Sequence, residues 1–86
     1  MKIRYAKRFV KQFSKLKPAE RARFYERQGL LERDSFHVLL NHHTLKGKFA
    51  GLHSINVSGD LRALYKEVND EMVLFQLIGT HRQLYE

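Results

Sequence analysis

The hydrophobic period of this chain changes once, and that change limits the folds open to it. Up to residue 31 most apolar residues recur every three or four positions, which predicts amphipathic helices. After Gly51 apolar and polar residues alternate through residues 54–58, which predicts strands. A run of helices followed by a run of strands favours an α+β fold over a regularly alternating one.

The helical part follows a short predicted strand, Lys2–Tyr5. Pro18 is predicted to begin a second helix, because proline is well tolerated in the first turn of a helix. Gly29 is expected to weaken or end the second helix. The predicted buried stripe of the first helix is Ala6, Phe9, Val10, Phe13 and Leu16, and that of the second is Ala22, Tyr25 and Leu30 or Leu31.

Three strands are predicted after the helices, around Ile55–Val57 and over Leu61–Val68 and Met72–Ile78. The last is nearly all apolar, which is typical of a strand covered on both faces. The predicted fold class is therefore α+β with the order β-α-α-β-β-β, a helical hairpin packed on a small, mainly antiparallel sheet. We expect residues 1–86 to form one domain, the default for this length.

Positive charge is concentrated in the helical part. Of the net charge of +7, residues 1–33 carry eleven Lys or Arg and three Glu, whereas residues 34–86 carry five Lys or Arg and six acidic residues. A basic balance suits a polyanion, because contacts to phosphates release counterions, so nucleic acid is the first-ranked partner class. The alternative is that these cations only solubilise helix faces. All five histidines lie in the second part: His37, His42, His43, His53 and His81.

Several classes of protein are excluded by composition. The chain has no cysteine, so disulfides and cysteine-based metal sites are ruled out. Lys and Arg interrupt the apolar residues between Met1 and Phe13, which argues against a signal peptide. No segment approaches the roughly 20 apolar residues of a membrane span. We therefore expect a soluble, cytoplasmic protein with no membrane partner, and in a chain this short a shallow site rather than an enclosed pocket.

Three motifs in the second part stand out. They are the histidine-x-leucine-lysine-glycine segment that begins at His43, the glycine-Asp-x-Arg run through Asp60 and Arg62, and the glycine-threonine-histidine segment that ends at His81. In this order and spacing they resemble the RelE/YafQ toxins of bacterial type II toxin–antitoxin systems, and the resemblance covers almost the whole chain. It implies a metal-independent mRNA endoribonuclease, usually acting on mRNA in the ribosome, with a cognate antitoxin as partner and no cofactor.

The resemblance also implies roles for individual residues. In such toxins the RNA 2′-hydroxyl attacks the adjacent phosphate, a reaction that needs a base, an acid and positive charge on the phosphate. His81 is the first candidate for acid or base and His43 the second, and which takes which role is left open. Arg62 would steady the phosphate, and Asp60 would orient a histidine or act as a base. The RNA-binding candidates are Lys46, Lys48, Arg82 and Tyr85.

Two positions depart from the pattern. YafQ-like sites usually add an Asp and a His on the strand after Gly51, where this chain has Ser54 and Asn56. Neither of these does acid–base work. Structural readings also compete: His81 could cap the last strand, and Asp60 could serve only the turn. Of the adjacent His42 and His43, at most one is expected to face the site, His37 and His53 are assigned to surface or packing, and a metal site is rejected for lack of a third ligand.

Two other functions remain alternatives. The first is a non-enzymatic inhibitor on the same scaffold, as in the ParE-like branch that poisons DNA gyrase. The second is an RNA-binding module without a toxic role. The histidines at 43 and 81 favour the nuclease, because a pure binder needs no acid–base groups.

Overall fold

The computed structural model describes residues 1–85. The elements in chain order are β1 (Lys2–Tyr5), α1 (Lys7–Ser14), α2 (Pro18–Arg33), β2 (His43–Thr44), β3 (His53–Ser58), β4 (Leu61–Asn69), β5 (Met72–Thr80) and α3 (His81–Tyr85), with short 3-10 turns at Val38–Leu40 and Gly47–Phe49. The strands form one sheet in the order β1-β5-β4-β3-β2. Only the β1–β5 pair is parallel among these strands. The predicted fold class is thus confirmed, and β2 and α3 are additional to it.

Aromatic rings form the centre of the core on the sheet face covered by α1 and α2, here called the helix face. Phe24 is fully buried, and its ring centroid lies 5.0 Å from that of Phe75 in an edge-to-face arrangement and 5.2 Å from that of Phe9. Such geometries are favourable beyond the apolar area that they bury. The helix hairpin is therefore fixed to β5 and β3 mainly by these rings and by Leu31.

The buried stripes of the helices differ from the predicted ones. Tyr25 is 55% exposed, Ala22 is also exposed, and Phe24, Arg27 and Leu31 are the residues of α2 that face the sheet. On α1, Val10 is 54% exposed. The pattern was ambiguous because Tyr25 follows Phe24 and Val10 follows Phe9, so that two neighbouring faces looked equally apolar.

The ends of the two helices also differ from the prediction. Leu16 lies beyond the end of α1, although it still packs against the core. Gly29 does not end α2, which continues to Arg33. Within the described chain, every helix is too short or too polar to cross a membrane.

Two polar side chains of the helices satisfy backbone groups of the sheet. The register of β3 against β4 skips Val57, and Arg27 Nε donates to the Val57 carbonyl at 3.2 Å. The β1 strand pairs only with Met72–Phe75 of β5, and beyond that stretch Gln12 Oε1 accepts from the Ile78 N–H at 2.9 Å. Buried backbone groups rarely lack a partner, so these contacts fix how the helices seat on the sheet.

The other side of the sheet, here called the second face, carries a smaller apolar cluster. Leu64 of β4, Leu77 of β5 and Leu84 of α3 are its buried members. The partly buried residues packed on them are Leu45, Phe49, Leu52 and Tyr85. The segment between β2 and β3 therefore folds over part of the second face, and α3 lies beside it.

Candidate active site

The backbone brings three of the four predicted catalytic residues together at one end of the sheet. Arg62, at the start of β4, pairs with Gly79 near the end of β5. The turn between β3 and β4 uses Gly59 at φ +48°, a conformation that glycine adopts without strain. Next to this turn the His81 N–H donates to the Asp60 carbonyl at 3.2 Å. The meander thus places Asp60, Arg62 and His81 side by side.

Unused hydrogen-bonding groups line the second face. Arg62 lies opposite Asn56 of β3, and Arg62 Nη1 and Asn56 Oδ1 are buried without a hydrogen-bond partner in the described protein. Ser54 lies two residues earlier on β3 and on the same face, and its Oγ is also buried without a hydrogen-bond partner in the described protein. Such groups are costly to bury unless something pairs with them. The two positions that depart from the YafQ-like pattern therefore lie on the site face.

His43 reaches the second face from the sheet edge. Its strand partner is Ser54, which puts both side chains on the same face. One strand, β3, lies between it and the strand of Arg62, so β2 lies two strand spacings, or about 10 Å, from β4. His43 Nδ1 lies 2.9 Å from the Asn41 carbonyl, and because a carbonyl only accepts, Nδ1 carries the hydrogen. The Nε2 of a neutral His43 is then left with a free lone pair.

A capping box starts α3 and positions His81. The Thr80 N–H donates to Gln83 Oε1 at 2.8 Å, and the Gln83 N–H donates to Thr80 Oγ1 at 3.1 Å. A Cβ on Gly79 would meet Gln83 Oε1 at 3.0 Å, so glycine lets α3 fold back tightly on β5. His81 is exposed as the first residue of this helix. The Thr80-x-x-Gln83 pattern in the sequence was the signal that could have predicted α3.

The ring of Tyr85 connects His81 with the lysine-bearing segment. Its centroid lies 4.7 Å from the His81 ring and 5.4 Å from the Phe49 ring. Lys48 Nζ in turn lies 5.0 Å from the centre of Phe49. We call the row His81–Tyr85–Phe49–Lys48 the ring ladder. The other two predicted RNA-binding residues are both exposed: Lys46 precedes the Gly47–Phe49 turn, and Arg82 belongs to α3.

Comparison with solved structures decides the fold. YafQ from E. coli strain BL21(DE3) matches with a TM-score of 0.81 at 20% identity, covering 98% of this chain and 97% of that one. A YoeB/ParE toxin from Agrobacterium tumefaciens matches with a TM-score of 0.79 at 16% identity, covering 94% and 99%. The chain has the RelE/YafQ toxin fold. The resemblance drawn from the three motifs is thereby confirmed.

The RelE/YafQ fold is also found in a toxin–antitoxin complex. RelBE2 from Mycobacterium tuberculosis matches with a TM-score of 0.73 at 25% identity, covering 93% of this chain and 96% of that one. No family model and no curated protein matches the sequence.

On the helix face, this RelE/YafQ fold carries a histidine cluster that the sequence did not predict. The Tyr65 hydroxyl and His53 Nδ1 lie 2.8 Å and 3.1 Å from His42 Nε2. His53 Nε2 also lies 3.3 Å from a Glu67 oxygen. His42 therefore lies on the helix face, whereas His43, the first residue of β2, lies on the second face.

The environment of this cluster favours the uncharged form of His42. Burial, and to a lesser extent nearby His53, lower the pKa of His42. Burial, reinforced by Glu67, raises the pKa of Tyr65 to about 12, so its hydroxyl stays a donor. A neutral His42 accepts this bond at Nε2, and protonation of that nitrogen would remove the acceptor.

We expect this cluster to make the fold sensitive to mild acid. Because the pKa of His42 is lower in the folded state than its usual 6.5, the unfolded chain binds the proton more readily. The contribution of His42 to the stability of the fold is complete above pH 6.5 and is lost as the pH falls through the folded-state pKa. The urea midpoint of the wild type should be lower at pH 5.5 than at pH 7.5, and this difference should shrink in H42Q. The matched variant H37Q, altered outside the cluster, should keep the full difference, and an unchanged difference in H42Q would contradict the assignment.

Proposed function

We propose that this protein is the toxin of a toxin–antitoxin pair and cuts mRNA on the ribosome without a metal ion. The observation that carries the proposal is the meeting of Asp60, Arg62 and His81 at one end of the sheet of a RelE/YafQ fold. An acid–base group beside a fixed cation is what transesterification of a phosphodiester requires.

The proposed reaction assigns one role to each group. His43 takes the proton of the RNA 2′-hydroxyl, because its Nδ1 bond to Asn41 leaves Nε2 as the acceptor. The 2′-oxygen then attacks the adjacent phosphorus, and the bond from phosphorus to the 5′-oxygen breaks. His81 gives its proton to that leaving oxygen. The products are a 2′,3′-cyclic phosphate and a 5′-hydroxyl.

Arg62 is proposed to bind the phosphate at which the RNA is cleaved. Its Nη1 has no partner in the described protein, so a bound phosphate oxygen would supply the missing hydrogen bond. Arginine stays charged at any physiological pH and binds phosphate through a planar fork of donors. Asp60 is proposed to position His81, since their backbones are already hydrogen-bonded.

The partners follow from charge and from the structural matches. RelBE2 is a toxin–antitoxin complex, which supports a cognate antitoxin for this chain. Residues 7–33, which form the helix hairpin, carry nine of the sixteen Lys and Arg, and we assign the exposed cations of this hairpin to ribosomal RNA, whose phosphates would release counterions. Because ribosomes and their messages are cytoplasmic, we assign the protein to the cytoplasm.

Mapping of mRNA 5′ ends after induced expression tests the proposal. We expect growth arrest together with new 5′ ends inside translated messages. A ParE-like inhibitor of DNA gyrase is the second candidate, favoured by the match to a toxin described as YoeB/ParE. Arrest without new 5′ ends, together with inhibition of gyrase by the purified protein, would select the second candidate and reject the nuclease.

A further inference from the structure

A cavity on the second face concentrates positive charge away from the catalytic residues. Its volume is about 460 Å³, and three separate elements each contribute one cation, namely Arg8 of α1, Lys48 of the Gly47–Phe49 turn and Lys66 of β4. Among residues 1–85, no carboxylate lines it. In the part of the chain that the structure describes, none of the three cations forms an ion pair. Three unneutralised cations around one concavity raise the local concentration of anions.

The fold directs polar side chains into this cavity. The register of β5 against β4 moves from Leu77 opposite Leu64 to Phe75 opposite Tyr65, which leaves Gln76 as a bulge. Gln76 and Leu77 both line the cavity as a result, although neighbouring strand residues normally face opposite ways. The bulge thus adds an amide, beside Leu77, to the part of the cavity that β5 lines.

The cavity is physically continuous with the candidate active site. Lys48 and Phe49 line the cavity and are also the far end of the ring ladder that begins at His81. Along β4, Lys66 lies on the same face as Arg62, about 13 Å away for four residues of strand. A row of rings bordered by cations suits a single nucleic-acid strand, whose phosphates meet the cations while its bases stack on the rings.

We propose that this cavity binds a backbone phosphate of the RNA substrate, one or more nucleotides away from the cleaved bond. Arg8 and Lys66 hold the phosphate with Lys48, Gln76 donates to one of its oxygens, and the ladder rings at Phe49 and Tyr85 support the intervening base. The cavity therefore positions the strand so that the scissile phosphate reaches Arg62. This inference rests on the proposed function for the identity of the substrate.

Binding of a single-stranded 2′-O-methyl RNA 12-mer tests the cavity without cleavage, because this oligonucleotide lacks the attacking hydroxyl. In R8Q/K66Q we expect the Kd to rise at least about tenfold, as for the loss of a hydrogen bond to a charged group. The slope of log K against log salt should become shallower by about 0.7 for each phosphate that the variant no longer neutralises. The matched control is K2Q/R4Q, which removes two exposed cations from β1 and should change both quantities far less.

The outcomes distinguish a specific RNA phosphate site from a general effect of net charge and from a site for a protein carboxylate. Equal weakening in the two double variants would mean that only net charge matters, and the inference would be wrong. It would also be wrong if R8Q/K66Q kept its RNA affinity and lost binding to a hexaglutamate peptide, since the cavity would then receive a protein carboxylate. Cleavage of ribosome-bound mRNA by the wild type is scored separately. If cleavage is missing while RNA binding depends on the cavity, the nuclease proposal fails and the RNA site stands.

Discussion

Replacing His81 with alanine is expected to slow mRNA cleavage by about 10²- to 10⁴-fold, the usual contribution of a general acid or base. The leaving 5′-oxygen would then depart without a proton donor, while Arg62 and the RNA-binding surface remain. Growth arrest on induction should disappear as well. The measurements are growth and the yield of new mRNA 5′ ends, compared with wild type at equal protein levels.

The variant should stay folded, which separates catalysis from stability. His81 is exposed, and its hydrogen bond to Asp60 comes from the backbone N–H, which alanine keeps. H37A is the matched control, because His37 belongs to the loop after α2, outside the proposed site. H37A should retain full toxicity. A folded H81A protein that arrests growth as well as wild type would remove His81 from the mechanism.

Replacing Phe24 with alanine is expected to lower the free energy of unfolding by about 3–5 kcal/mol, the range for a buried aromatic residue. Its ring is fully buried between those of Phe9 and Phe75, so truncation leaves a cavity at the centre of the core. Urea unfolding measures the change. For a protein of ordinary stability, this loss is a large part of the total.

Phe36 provides a control with the same change of side chain. It is 81% exposed, and F36A should alter the free energy of unfolding by less than about 0.5 kcal/mol. F24L, which keeps most of the apolar volume, should fall between the two. Similar losses in F24A and F36A would contradict the assignment of the core.

The order of the main elements could be predicted because hydrophobic period is a local property. Residues 1–33 and 53–80 show the helical and alternating patterns expected of a helix hairpin and a meander. Predictions that required a choice between adjacent apolar residues, such as Phe24 and Tyr25, were wrong. Which of two neighbours is buried depends on how the helix seats on the sheet, and that is set by distant contacts such as Arg27 with Val57.

The candidate site was predictable where a turn joins consecutive strands. Asp60 lies in the turn between β3 and β4, and Arg62 follows it on β4. The next strand returns to the same end, so His81 was expected to lie beside them. Other features depend on strand register, which the alternation of residues does not specify. The pairing of His42 with Tyr65 across the sheet and the bulge at Gln76 are of this kind.

The central claim is that this protein cuts RNA by attack of the 2′-hydroxyl, and the chemistry of the cut ends tests it most directly. Purified protein would be added to ribosomes translating a defined mRNA, with a ribonuclease of known end chemistry as a parallel control, and the fragments would be assayed for their terminal groups. We expect 2′,3′-cyclic phosphate and 5′-hydroxyl ends, produced by wild type and absent with H81A. Fragments with 5′-phosphate ends, or an intact message under conditions where the same protein arrests growth, would contradict it.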